Sequence, residues 1–196
     1  MGPKDICLHG LWIVERYSQW VTNPKSIRGL EAFRRFAAGE ITEEALAEVI
    51  KDTFDAVREA QEALRESQEN QGSQAAALAK QQEDLEEDQA CAWGQAVSQA
   101  NLSMEWAKVF LAKAVQSLVE RRDTVDKIGK TVANAVAELA YANAAREAAQ
   151  KVLDGEKIPR NAWQIWDAAE ELAFASERAA QKLEWFCLMQ RGNAAN

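Results

Sequence analysis

The sequence predicts an all-α protein, a bundle of about six helices whose third and fourth extend into a long antiparallel coiled-coil hairpin. Three observations carry this. The first is composition: Ala, Glu, Gln, Lys, Arg and Leu dominate, and these are the strong helix formers. The second is proline, present only as Pro3, Pro24 and Pro159, each near a helix start. The third is a mirror in the numbering. Leu64 and Leu78, Val57 and Leu85, Ile50 and Ala92, and Val49 and Trp93 are pairs whose numbers each sum to 142. The outer residues step by seven on each limb, as in two helices that pair through a heptad seam and reverse around Gln71–Gly72.

The elements follow in order. A first helix is expected from about Asp5 to about Val21, with Ile6, Ile13, Tyr17 and Trp20 on one side. Asn23-Pro24 caps and opens a second helix carrying Ile27, Leu30, Phe33 and Phe36, and Gly39 stops it. Thr42 caps the third, with Glu43 and Glu44 at the positive end of the helix dipole and Ile41 and Leu46 spaced as a hydrophobic staple. This limb climbs to about Asn70, and the descending limb starts near Ser73. Asp123-Thr124 offers the next cap, before Val125, Ile128, Val132, Ala135, Leu139 and Ala142. Gly155 ends that helix. Pro159 opens the last, in which Ile165, Leu172, Ala179 and Phe186 step by seven. The passages around Gly39-Glu40-Ile41 and Gly155-Glu156-Lys157-Ile158 echo one another; a duplication and convergent cap chemistry both account for the echo.

A chain of 196 residues, 47% hydrophobic, reads as one domain over 1–196, able to bury a core without metal or disulfide staples. Residues 58–92 are expected to project from it as a hairpin arm. Between Phe54 and Trp93 the only large aliphatic residues are Val57, Leu64, Leu78 and Leu85. Each contributes about 1.5–3 kcal/mol when buried, against a backbone entropy cost of about 1–2 kcal/mol per ordered residue.

The formal net charge is -8, which disfavours direct nucleic-acid or anionic membrane binding and favours a protein with a basic surface. The arm concentrates the acid. Glu62, Glu66, Glu69, Glu83, Asp84, Glu86, Glu87 and Asp88 face only Arg65 and Lys80 in the stretch Gln61–Ala90. An acidic prong and a merely solvated face both fit that pattern. Cys7, Cys91 and Cys187 are well separated and odd in number, as reduced cytoplasmic thiols would be. Cys7 and Cys187 stand among apolar neighbours, as buried filler would. No apolar run reaches the roughly 18–20 residues of a membrane span, and the first residues form no signal peptide.

Signals for catalysis are sparse. His9 is the sole histidine, too few for a two-metal bundle site, and there is no Cys-x-x-Cys, phosphate loop or Gly-x-Ser-x-Gly. No cofactor or metal is expected, and the chain reads as a non-enzyme. Seven tryptophans are many for this length. Trp163 and Trp166 share one helical face, and become a partner-binding patch if exposed or part of the core if not.

The stretch Pro24-Lys-Ser-Ile-Arg-Gly-Leu-Glu-Ala-Phe-Arg-Arg-Phe-Ala-Ala-Gly-Glu-Ile-Thr-Glu-Glu-Ala-Leu, running on to Ala60, resembles alanine-rich helical proteins of bacterial and phage genomes, some of them labelled immunity proteins. The resemblance implies a small acidic helical protein that binds and neutralises another protein. The leading expectation is therefore an inhibitor that occludes a basic surface of a toxin, nuclease or nucleic-acid-handling complex with the acids named above. A homodimer or larger assembly built through the hairpin is the second reading. A helical enzyme or carrier with a Trp-lined pocket is the third.

Overall fold

The computed structural model describes residues 3–82, 85–121, 124–159 and 161–194. Among the described residues are six α-helices and no strand. They are α1 (Pro3–Glu15), α2 (Pro24–Ala38), α3 (Glu43–Lys80), α4 (Glu87–Glu120), α5 (Val125–Leu153) and α6 (Ala162–Ala194), with a 3-10 turn at Ser18–Trp20 after α1. The four long helices pack in chain order, α3 on α4, α4 on α5 and α5 on α6, while α2 lies on α3 and α4 and α1 lies on α4 and α5. The all-α class and the α3–α4 hairpin stand as expected.

Local chemistry sets most boundaries. The Asn23 side chain accepts from the Lys25 and Ser26 amides, and Pro24 fills the first turn of α2. Thr42 accepts from the Ala45 amide and Thr124 from the Lys127 amide. Gly39 and Gly155 both take positive φ (79° and 88°), where a side chain would be strained. The amides after them, Glu40 and Glu156, donate to the Arg35 and Lys151 carbonyls, so the two echoing passages share one stop geometry.

The first helix is shorter than expected. It ends at Glu15 rather than near Val21, because the chain tightens at Arg16 and Tyr17, whose side chains both reach Glu177 on α6.

The reversal of the hairpin is also displaced. α3 is one unbroken helix of 38 residues running through Gly72, and the chain has reversed direction between the end of α3 at Lys80 and the start of α4 at Glu87. Gln71 pairs with Ser98, whose hydroxyl donates to its carbonyl, and Gly94 lies on Ala75. The pairs that meet therefore sum to about 169, and residues 50 and 92 are not neighbours. The physical reason lies in the helix dipoles. Lys80 suits the negative end of α3, and Glu87 and Asp88 suit the positive end of α4, so the acidic run favours a new N-terminus there. Gly72, flanked by strong helix formers, costs only about 1 kcal/mol inside a helix.

The core has two parts. Leu11, Ile13, Val14, Leu30, Phe33, Leu46, Leu111, Val115, Leu118, Val119, Ile128 and Val132 fill the end where α1 and α2 cover the long helices. At the other end Ala96, Ala100, Ala142, Ala145, Ala149 and Ala162 let α4, α5 and α6 approach closely around Trp166. The α5 heptad row is buried as its spacing demands, with Ile128, Val132, Ala135, Leu139 and Ala142 all inside. The α6 row is not: Ile165, Leu172 and Phe186 are 54%, 69% and 56% exposed.

Candidate functional site

The acids singled out by the sequence lie on two separate surfaces. Glu62, Glu66 and Glu69 are exposed along the middle of α3. Glu86, Glu87 and Asp88 are exposed where α4 begins, while Glu83 and Asp84 lie outside the described residues. With the reversal between Lys80 and Glu87, the two groups stand about 20–35 Å apart along the hairpin rather than opposite one another. Two of the α3 acids have local counter-charges, Arg58 4.0 Å from Glu62 and Arg65 3.8 Å from Glu69. Glu66 has no ion pair among the described residues.

The tryptophan pair is split. Trp166 is buried and meets Tyr141 edge-on, with ring centroids 5.7 Å apart, whereas Trp163 is 55% exposed. Both line a cleft of about 780 Å³ between the end of α3 and the start of α6, opposite the small residues Gly72, Ala75 and Ala79. Cys91, on the same cleft, is exposed; Cys187 is half-buried rather than fully so, and the Cys7 side chain lies outside those described.

Three buried polar clusters escape sequence reasoning, because each depends on contacts between distant helices. In the first, Glu177 on α6 is 4% exposed yet fully engaged. Arg16 donates to it at 3.2 Å, the Tyr17 hydroxyl donates to its other oxygen, and Gln181 Nε2 donates at 2.9 Å. Burial and then the bond to Glu177 push the Tyr17 phenol well above its usual range. Gln181 also donates to the Gly129 carbonyl at 3.0 Å, and Arg178 spans from Asp126 to the Gln181 oxygen. A Cβ at Gly129 would lie 2.5 Å from Gln181 Oε1, so a side chain there would displace the Gln181 amide from this position.

In the second, His9 is 2% exposed, and its Nδ1 has no hydrogen-bond partner among the described residues. Its ring stacks on Trp12 with centroids 5.7 Å apart and tilts against Trp185 at 4.9 Å. Burial holds its pKa below the usual imidazole value, against the opposing pull of the Glu184 carboxylate. It forms part of the wall of a cavity of about 430 Å³, together with Ile13, Val125, Arg178 and Trp185.

In the third, Glu138 on α5 is pushed up to about 7, chiefly by burial and further by Glu170, against a hydrogen bond from Ser103. Glu170 on α6 is raised by its own burial and by Asp167 and Glu171. A carboxyl poised near neutrality can exchange a proton, and the Ser103 hydroxyl and the Glu170 carboxyl are the polar groups beside it. Among the described residues no group of three His, Cys, Asp or Glu is placed to hold a metal ion, and no helix is long and apolar enough to cross a membrane. Set against protein-family models, curated proteins and solved structures, the chain matches none.

Proposed function

We propose that this is a non-enzymatic binding protein of the cytoplasm, an inhibitor that covers a basic surface of another protein with acidic helical faces. The observation that supports this reading is the accessibility of the acids. Glu62, Glu66, Glu69, Glu86, Glu87 and Asp88 all stand exposed on a chain of net charge -8, and the basic residues near them are few. Because they form two patches, the partner would be a surface with two basic regions about 20–35 Å apart, or a groove along the hairpin. The immunity-like resemblance of residues 24–60 points the same way.

The test is binding to a panel of basic nucleases and toxins at low and high salt. The native chain is compared with one in which the six exposed acids and Glu83 and Asp84 become Gln or Asn. Binding that weakens steeply with salt and is lost in the neutralised chain supports the proposal. Unchanged binding by the neutralised chain removes the acidic faces from the interface.

A second reading is favoured by the cavity of about 430 Å³ lined by His9, Ile13 and Trp185, whose largely apolar wall suits a small apolar molecule. On this reading the protein is a carrier. Calorimetry with indole as the probe tests it, and saturable heat lost in His9→Phe is the expected result.

A further inference from the structure

α6 packs chiefly on α5, through Trp166 and Gln181, and turns its opposite face to solvent. That face is apolar from Ile165 to Phe186. Ile165, Leu172, Leu183 and Phe186 are each more than half exposed, at 54%, 69%, 64% and 56%, with the exposed alanines Ala168 and Ala179 between them. At 100° per residue these six fall within a stripe about 60° wide, centred opposite the α5 contact. A solvated helix does not need such a stripe, and contiguous exposed apolar surface of this kind marks an association site.

The stripe is its own mirror image. Ile165 and Phe186, Ala168 and Leu183, and Leu172 and Ala179 lie symmetrically about the point between Ala175 and Ser176. An antiparallel copy centred there sets Leu172 against Ala179 and Leu183 against Ala168, a large-against-small alternation that packs well, with Ile165 against Phe186 at the two ends. Charge selects the same arrangement. Glu171, Arg178 and Lys182 border the stripe on one side, and the other side carries Ala169, Ala173, Ser176 and Ala180. In an antiparallel pair like flanks meet. Glu171 of one copy then falls about 3 Å along the axis from Lys182 of the other; Arg178, at the same axial distance on the other side, is already engaged by Asp126 and Gln181 of its own chain. In a parallel pair the charged flank would meet the small uncharged one, and no ion pair forms. Lys182 has no ion pair among the described residues of its own chain.

We propose that the protein forms a two-fold homodimer through an antiparallel α6–α6 contact centred between Ala175 and Ser176, so that α5 and α6 of both copies build a four-helix layer. The contact is isologous. It spans about 32 Å of helix, at the small end of specific interfaces, so the dissociation constant falls in the micromolar range, about 1–100 µM.

The experiment is sedimentation velocity over a concentration series with the full chain. The expected result is a monomer–dimer equilibrium. Leu172→Glu weakens it about tenfold or more, and Glu171→Lys weakens it less. The double exchange Glu171→Lys with Lys182→Glu restores it. Far-UV circular dichroism checks that these surface variants stay folded. A spin-label pair distance then reads the direction: short for a label at position 176 and about 30 Å for a label at position 165. A strict monomer at about 100 µM overturns the proposal, as does a dimer indifferent to Leu172→Glu. Short distances at both labels overturn the antiparallel register. Association only with a different protein through this stripe replaces the second copy as the occupant and also overturns it.

Discussion

Gly94 lies against the backbone of Ala75, so close that a Cβ at position 94 would press into the Ala75 carbonyl oxygen and stand 3.1 Å from the Ala79 amide nitrogen. Both neighbours are main chain of an unbroken helix and cannot swing aside. Gly94→Ala should therefore push α3 from α4 and destabilise the protein by about 1–3 kcal/mol. Gly72 is the opposite case, with nothing within 4 Å of where a Cβ would sit and helical neighbours on both sides. Gly72→Ala should stabilise by about 0.5–1 kcal/mol. Thermal melts of the two variants check the pair. A loss at Gly72 comparable to that at Gly94 would contradict the continuous helix.

That contrast shows how much of the hairpin could be read from the chain. The seam residues Val57 and Leu64 are buried as their spacing requires. A heptad pattern, however, repeats every seven residues, so it fixes which face pairs but leaves the register open to shifts by whole heptads. The observed register differs from the mirror at Gln71 by 27 in summed numbering, and α4 meets α3 through Gly94 and Ser98 rather than through the Ala92 row. The information that breaks this degeneracy was electrostatic, Lys80 followed by the acidic run to Asp88. The caps at Asn23, Thr42 and Thr124 and the stops at Gly39 and Gly155 were legible because they are local. The Glu177 cluster, the His9 cavity and the raised Glu138 were not, since each joins residues from helices far apart in sequence. The spacing of Ile165, Leu172, Ala179 and Phe186 announced a helical stripe but could not say whether this molecule itself covers it.

Glu177 ties the start of the chain to its last helix. Removing its carboxylate leaves the Tyr17 hydroxyl and the Gln181 amide short of an acceptor in a buried place. Arg16, with its side chain 34% exposed, can turn to water. Glu177→Ala should cost about 2–4 kcal/mol, while Arg16→Ala should cost about 1 kcal/mol. Chemical denaturation of both variants and of the double variant measures the coupling. Strict additivity would show that Arg16 and Glu177 do not interact in solution.

Trp163 and Trp166 separate a cleft wall from the core. Trp166 packs among Ala96, Ala100 and Ala145, where no larger side chain can close the gap it would leave. Trp166→Ala should cost about 3–5 kcal/mol, and Trp163→Ala less than about 1 kcal/mol. If Trp163→Ala proves the more damaging, its exposed placement at the cleft is wrong.

Glu138 gives the fold a pH dependence of unusual sign. Its carboxyl is raised from 4.5 to about 7 in the folded state, mainly by burial, with Glu170 adding repulsion. A carboxylic acid whose folded pKa lies above its unfolded value stabilises the fold when protonated. Its contribution is complete below about 4.5 and is lost as pH rises through about 7. Glu170, also raised, acts in the same direction. Between pH 8 and pH 6 the protein should therefore gain stability, by about 1 kcal/mol once solvent screening of this half-buried group is allowed for. Glu138→Gln keeps an acceptor for Ser103 and removes the charge. It should be more stable than the native chain at pH 8, and the two should converge at pH 5. Melting temperatures of both chains across that range decide it, and parallel profiles would show that Glu138 is already ionised below neutrality.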